Sequence, residues 1–289
     1  MSKGLVETIT EVFKAQPPHW ACELTGTYVT VANVNSGRTK VANKFAAELT
    51  GGASAENAMP VVRQLLSLAG FKGSEIAVVV PDEMVRVAFV TAENPSKDPE
   101  EQRTFIRWKL KKSVPFDVDT AQVAYRIVGP HRGGAGVDIL VALAPRSVVQ
   151  EYETSFETLD IHAGIVLPST LAALNLFQPP AGDTLFVKVA PDCIATAVFQ
   201  NRRVQFYRRV TDVSLYDAVY PTVLYYQDKL GGTALDRMYV CGHHNDMRPA
   251  LAEIQEKLGL TPQRIEPQSI EDIFKPALGA IHLKPESVI

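Results

Sequence analysis

Residues 21–34, ACELTGTYVTVANV, place Thr25, Gly26 and Thr27 between two apolar runs, with one acid, Glu23, just ahead of the turn. Such a hairpin can serve phosphate chemistry, because glycine lets backbone amides approach phosphate oxygens and a carboxylate orients metal-bound water. The same residues also suit a plain hairpin that needs glycine only for steric reasons. Other groups with chemical potential are dispersed. Cys22, Cys193 and Cys241 each adjoin an apolar strand-like run, with no CxxC or metal-ligand spacing, and read as buried reduced thiols. The histidines adjoin one another only at His243-His244, with no further ligand at recognisable spacing, so no metal is expected. No Ser-His-Asp or Cys-His arrangement appears in a local context. The loop HRGGAG lacks the strand-to-helix setting and the Lys-Ser/Thr of a phosphate loop, and reads as a flexible hairpin tip.

The run RTFIRWKLKK gathers Arg103, Arg107, Lys109, Lys111 and Lys112. On a helix Phe105 meets Trp108 and Ile106 meets Leu110, which predicts an inner apolar face and an outer, solvated basic one. The whole chain of 289 residues is 46% hydrophobic with a net charge of -3, so nothing global draws it to nucleic acid. No apolar stretch approaches the ~18 residues of a membrane span, and the acidic start does not suit a signal peptide; a cytosolic location is expected.

The elements that must position these groups follow from periodicity. Leu5, Ile9, Val12 and Phe13 predict a short opening helix that Pro17-Pro18 end. Residues 20–34 and 39–48 alternate as a strand meander, ENAMPVVRQLLSLAGF is a helix, and EIAVVVP is a buried strand. Strand, helix, strand, strand and helix then follow over about 83–160, enough for a small α+β module. From TLFVKVAPDCIATAVFQNRRVQFYRRV the opening pattern restarts, with turns at Pro191-Asp192 and Asn201-Arg202. The sequence thus predicts two similar lobes: 1–82 with a return segment 161–178, and 179–289, with a module at 83–160 inserted in the first.

EEQRTFIRWKLKKSVPFDVDTAQVAYRIVG followed by DILVALAPRSVVQEYETSFETL resembles the PilM family of type IV pilus assembly, with Val114-Pro115-Phe116 at that family's IPF signature and Tyr125–Gly129 in its DYQVLG-like strand. The resemblance implies an actin-like α/β fold of two RNase H-like lobes around a nucleotide cleft. In that fold each lobe carries an Asp-Gly hairpin. The first here reads Glu23-Leu24-Thr25-Gly26, and the second reads Lys188-Val189-Ala190, so lysine stands for the metal-directing acid and alanine for the glycine. The adenine-side Gly-Gly turn keeps only Gly242 before His243. Residues 210–237 hold room for one helix, where the family has a larger subdomain, 2B. Lys188 could meet phosphate directly, but an edge-strand lysine at a degenerate site is the favoured reading.

These departures imply a non-enzymatic scaffold with no nucleotide or metal cofactor. The family's partner is the cytoplasmic N-terminal tail of PilN, an inner-membrane protein, so the chain is expected at the inner-membrane face, with other platform proteins and a homo-oligomer as further options. Val31, Val114, Pro115 and Phe116 are the expected lining of the tail's groove. The shortened second lobe is also similar to the cytoplasmic domain of GspL of type II secretion. The alternative is an actin-like ATPase with an atypical cleft, for which Asp192 is the local acid that could replace Lys188.

Overall fold

The computed structural model describes residues 17–50, 52, 54–235, 237–242 and 247–283. The predicted opening helix and His243-His244 lie outside them. Strands β1 (Trp20–Leu24), β2 (Tyr28–Val34) and β3 (Val41–Glu48) form the antiparallel meander. Helix α1 (Ala55–Leu68) leads to β4 (Glu75–Val80), which pairs parallel with β1, and β8 (His162–Pro168) pairs parallel with β4. The sheet order is β3-β2-β1-β4-β8.

The second lobe repeats this plan. Strands β9 (Thr184–Val189), β10 (Ile194–Gln200) and β11 (Arg203–Val210) form the meander, and β12 (Arg237–Gly242) and β13 (Pro262–Arg264) add in parallel, giving β11-β10-β9-β12-β13. Asn201 and Arg202 both have positive φ, 51° and 64°, as the tight hairpin between β10 and β11 requires. The internal repeat read in the sequence is therefore a repeat of topology. Between β11 and β12 the chain forms one helix, α5 (Leu215–Asp228), of 14 residues. Helix α6 (Arg248–Leu258) covers the same face of the second sheet, with Ile254 buried beside Val219 and Met238.

The first sheet is covered on both faces, which is why β4 reads as a continuous apolar run. Cys22, Leu24, Val29, Val31, Ile76 and Val78 point one way, against α1 and α3 (Arg146–Glu157). Ala21, Ala32, Ala77 and Val79 point the other way, against short helices α4 (Ser169–Leu174) and α7 (Lys275–Ala280). The small side chains permit close approach: a Cβ added to Gly279 would lie 2.0 Å from the Ala172 carbonyl oxygen. The C-terminal segment thus packs on the first lobe rather than on the second, where the sequence reading of 179–289 places it. Buried Lys275 ties it back, donating to the Ile265 carbonyl at 2.5 Å and pairing with Asp272 at 2.7 Å.

The inserted region forms its own antiparallel sheet, β5-β7-β6, from β5 (Arg86–Ala92), β6 (Gln122–Pro130) and β7 (Val137–Ala144), packed on α2 (Pro99–Leu110). Helix α3, drawn with this module from sequence, instead buries Tyr152 and Phe156 in the first lobe's core. Asp98 caps α2 by accepting from the Glu100 amide at 2.8 Å. Gln102, Ile106 and Leu110 face inward, whereas Trp108, expected on the inner face, is 67% exposed, because it follows Ile106 by two positions and so turns away from the sheet. The loop HRGGAG is not a free tip: Arg132 donates to the Gln200 side chain and, at 2.5 Å, to the Leu230 carbonyl of the second lobe.

Candidate functional site

Glu23 and Lys188 hold equivalent places. Each is the penultimate residue of the central strand of its sheet, and the two strands end at the cleft between lobes. Glu23 is 0% exposed and Lys188 3%. Lys188 is therefore a core lysine on a central strand, not an edge-strand lysine. Burial opposes its charged form, but the carboxylates of Asp82 and Glu23 outweigh that and hold the ammonium above its ordinary value. Burial pushes the Glu23 carboxyl up to about 7, against the opposing pull of Lys188 and of a hydrogen bond donated by the Ser169 hydroxyl to Oε1. Asp82 and Asp192 raise it further. Glu23 Oε2 has no hydrogen-bond partner among the described residues.

Asp82 follows β4 through Pro81 and opens a 3-10 turn, Asp82–Met84. Its Oδ1 accepts from the Thr170 amide at 2.8 Å and its Oδ2 from the Thr170 hydroxyl at 2.6 Å. Tyr207 of β11 reaches the same hydroxyl from the second lobe. Cys193 approaches Asp82 Oδ2 at 3.9 Å, and burial pushes its thiol up to about 12, as it does that of Cys241. All three cysteines are buried and free, so they behave as small core residues with suppressed thiolates.

The hairpins that would cradle phosphate are internally satisfied. Thr25 Oγ1 accepts from the amides of Thr27 at 3.3 Å and Tyr28 at 3.0 Å, while its own hydroxyl donates to the Tyr28 carbonyl at 2.9 Å. Gly26 lies in this closed turn, half-buried. In the second lobe Ala190 donates its amide to the Cys193 carbonyl at 2.9 Å, closing the Pro191-Asp192 turn. Gly242 serves strand packing, since an added Cβ would lie 2.8 Å from the Val189 carbonyl oxygen on β9. The cleft thus gathers one buried ammonium, two carboxyl groups and two hydroxyls.

A second feature lies on the other side of α4. An apolar groove with a cavity volume of about 150 Å³ opens between the module, the first lobe and the second. The module supplies Ala124 and Tyr125 from β6 and Leu140 and Ala142 from β7. The first lobe supplies Met84 and Val85, Val148 and Tyr152 of α3, and Leu171, Leu174 and Asn175 around α4. Phe199 and Val204 close it from the second lobe. Its walls include β6, an edge strand of the module's sheet.

None of Val31, Val114, Pro115 and Phe116 lines this groove. Val31 is fully buried in the first lobe's core beneath α1. Val114 and Phe116 are half-buried against the module's core cluster, which includes Ile106, Leu110 and Val141, and Pro115 is exposed. The Pro-Phe turn thus packs on the module's own cluster, and the residues that meet in the cleft without a sequence motif are Asp82, Ser169 and Thr170. A carboxylate directly after a buried parallel strand was their available signal, since open α/β sheets present their sites at the carboxyl ends of strands.

No protein-family model matches the chain, and no curated protein matches it in sequence. Solved structures do match in fold. The PilM-PilN type IV pilus biogenesis complex aligns with a TM-score of 0.74 at 14% identity, covering 93% of this chain and 100% of that one. A Bacteroides thetaiotaomicron protein with an actin-like ATPase fold and unknown function aligns at 0.61 and 11% identity, over 92% and 97%. The cytoplasmic domain of EpsL, an inner-membrane component of the Vibrio cholerae type II secretion system, aligns at 0.57 and 11% identity, over 92% and 95%. The fold is actin-like.

Proposed function

We propose that this chain is a non-catalytic, PilM-like scaffold of a type IV pilus or related secretion platform, which captures an apolar segment of a PilN-like inner-membrane protein at the cytoplasmic face of that membrane. The observation that carries the reading is the pairing of an open apolar groove with a cleft filled from within by Lys188. Apolar walls reward an extended apolar segment, and the edge strand β6 offers main-chain groups to it. Lys188, between Glu23 and Asp82, supplies internally the positive charge that a nucleotide would bring as metal, and the closed hairpins leave few amides for phosphate.

Two measurements test the two halves. Calorimetry with magnesium and ATP should show no binding; a dissociation constant below ~100 µM, or more than about 5 kcal/mol, would overturn the non-catalytic half. Fluorescence anisotropy with the labelled N-terminal tail of the organism's PilN-like protein should show saturable binding that Leu171→Asp abolishes while the protein stays folded. Binding unaffected by Leu171→Asp would move the partner site elsewhere.

A further inference from the structure

The two short elements that wall the groove on the first-lobe side are the same two that reach into the cleft. The 3-10 turn carries Asp82 at its start and Met84 at its end, and Met84 and Val85 line the groove. Helix α4 carries Ser169 and Thr170 in the cleft, and Leu171, Leu174 and Asn175 line the groove. Between them the groove gains its lower wall, and among the described residues they are tied by the pair of hydrogen bonds from Thr170 to Asp82, 2.8 and 2.6 Å long. Both residues are buried, at 2% and 0% exposure, so water does not compete for the bonds. On its far side α4 is pressed against α7, where Asn175 donates to the Gly279 carbonyl at 3.2 Å, so it cannot retreat freely.

Resting on the groove as the partner site, we propose that Asp82 and Thr170 are positioning residues: a latch in the former nucleotide cleft that fixes the spacing of Met84 from Leu171 and so the fit of the partner's apolar segment. Neither residue touches the segment. Their effect is preorganisation, since a groove held at its bound width loses less conformational freedom on binding. Loss of the latch lets the turn drift, and the groove must then be ordered by the segment itself.

The test uses the whole protein and the fluorescein-labelled N-terminal tail of its PilN-like protein, at a temperature at which every variant is fully folded. Thr170→Val should weaken binding by roughly fivefold to tenfold, a coupling of ordinary size. Thr170→Ser, which restores the hydroxyl, should return affinity to within about twofold. Ser169→Ala, on the same helix as Thr170, cuts the bond to Glu23 without touching the latch, so its affinity should equal that of the wild type. A Thr170→Val protein that binds as the wild type does overturns the latch while leaving the groove as the partner site. So does an equal loss in Ser169→Ala, which would mean general loosening. If the wild type does not bind the tail, the partner reading fails, and the latch as a binding device fails with it.

Discussion

At the scale of single residues, the cleft makes a pH-dependent contribution whose sign is set by Glu23. Its carboxyl titrates at about 7 in the folded chain against an ordinary 4.5. The folded state therefore keeps a proton that the unfolded chain releases between these values, and stability falls as pH rises through that window. The full difference corresponds to about 3 kcal/mol at most. Urea denaturation at pH 5 and pH 8 should show the fall, and Glu23→Gln, which still accepts from Ser169, should flatten it. Lys188→Met should move the window upward, because Lys188 is the strongest of the influences that lower the Glu23 value. An unchanged profile in Lys188→Met would separate the two residues electrostatically. Lysine could be seen in the sequence as a departure from an acid, but its role could not. That it lies on a central strand, opposite another buried group, is a matter of how two distant sheets meet.

At the scale of elements, the first hairpin depends on a hydroxyl. Thr25→Val should cost about 1–3 kcal/mol, because it removes the oxygen that accepts from the Thr27 and Tyr28 amides and donates to the Tyr28 carbonyl, and Thr25→Ser should recover most of that. Thermal denaturation of the two variants measures the contrast. Within the module, Phe116→Ala should cost about 1–3 kcal/mol of stability, given a half-buried ring, and leave affinity for the partner tail unchanged in folded protein. Periodicity made both meanders, the helices and the order of the repeat legible, since each records a one-sided burial that a short window contains. Strand β13, of three residues, is too short to show alternation. Helix α3 was legible as a helix, but its destination was not, because Tyr152 and Phe156 would suit any apolar surface. The groove was hidden for the same reason: its walls come from β6, β7, α3, α4 and two second-lobe strands, and no local pattern announces that they meet.

At the scale of the whole molecule, the lobes are joined by more than the cleft. Phe89, Val128 and Leu140 of the module pack against Phe199, Val204 and Tyr207 of the second lobe, and Arg132 anchors the module's loop there. Unfolding should therefore be a single cooperative transition, and calorimetric and van't Hoff enthalpies should agree. Two separated transitions would show that module and lobes are energetically independent. The packing of α7 against Ala21, Ala32, Ala77 and Val79 has a consequence for synthesis. Strands β1 to β4 receive their second cover from residues around 270–283, which are made after the whole of the second lobe's sheet. The first lobe cannot finish folding before that segment is made; its alanine-lined face stays open until then, and whatever shields that face in the interval is part of how this protein matures.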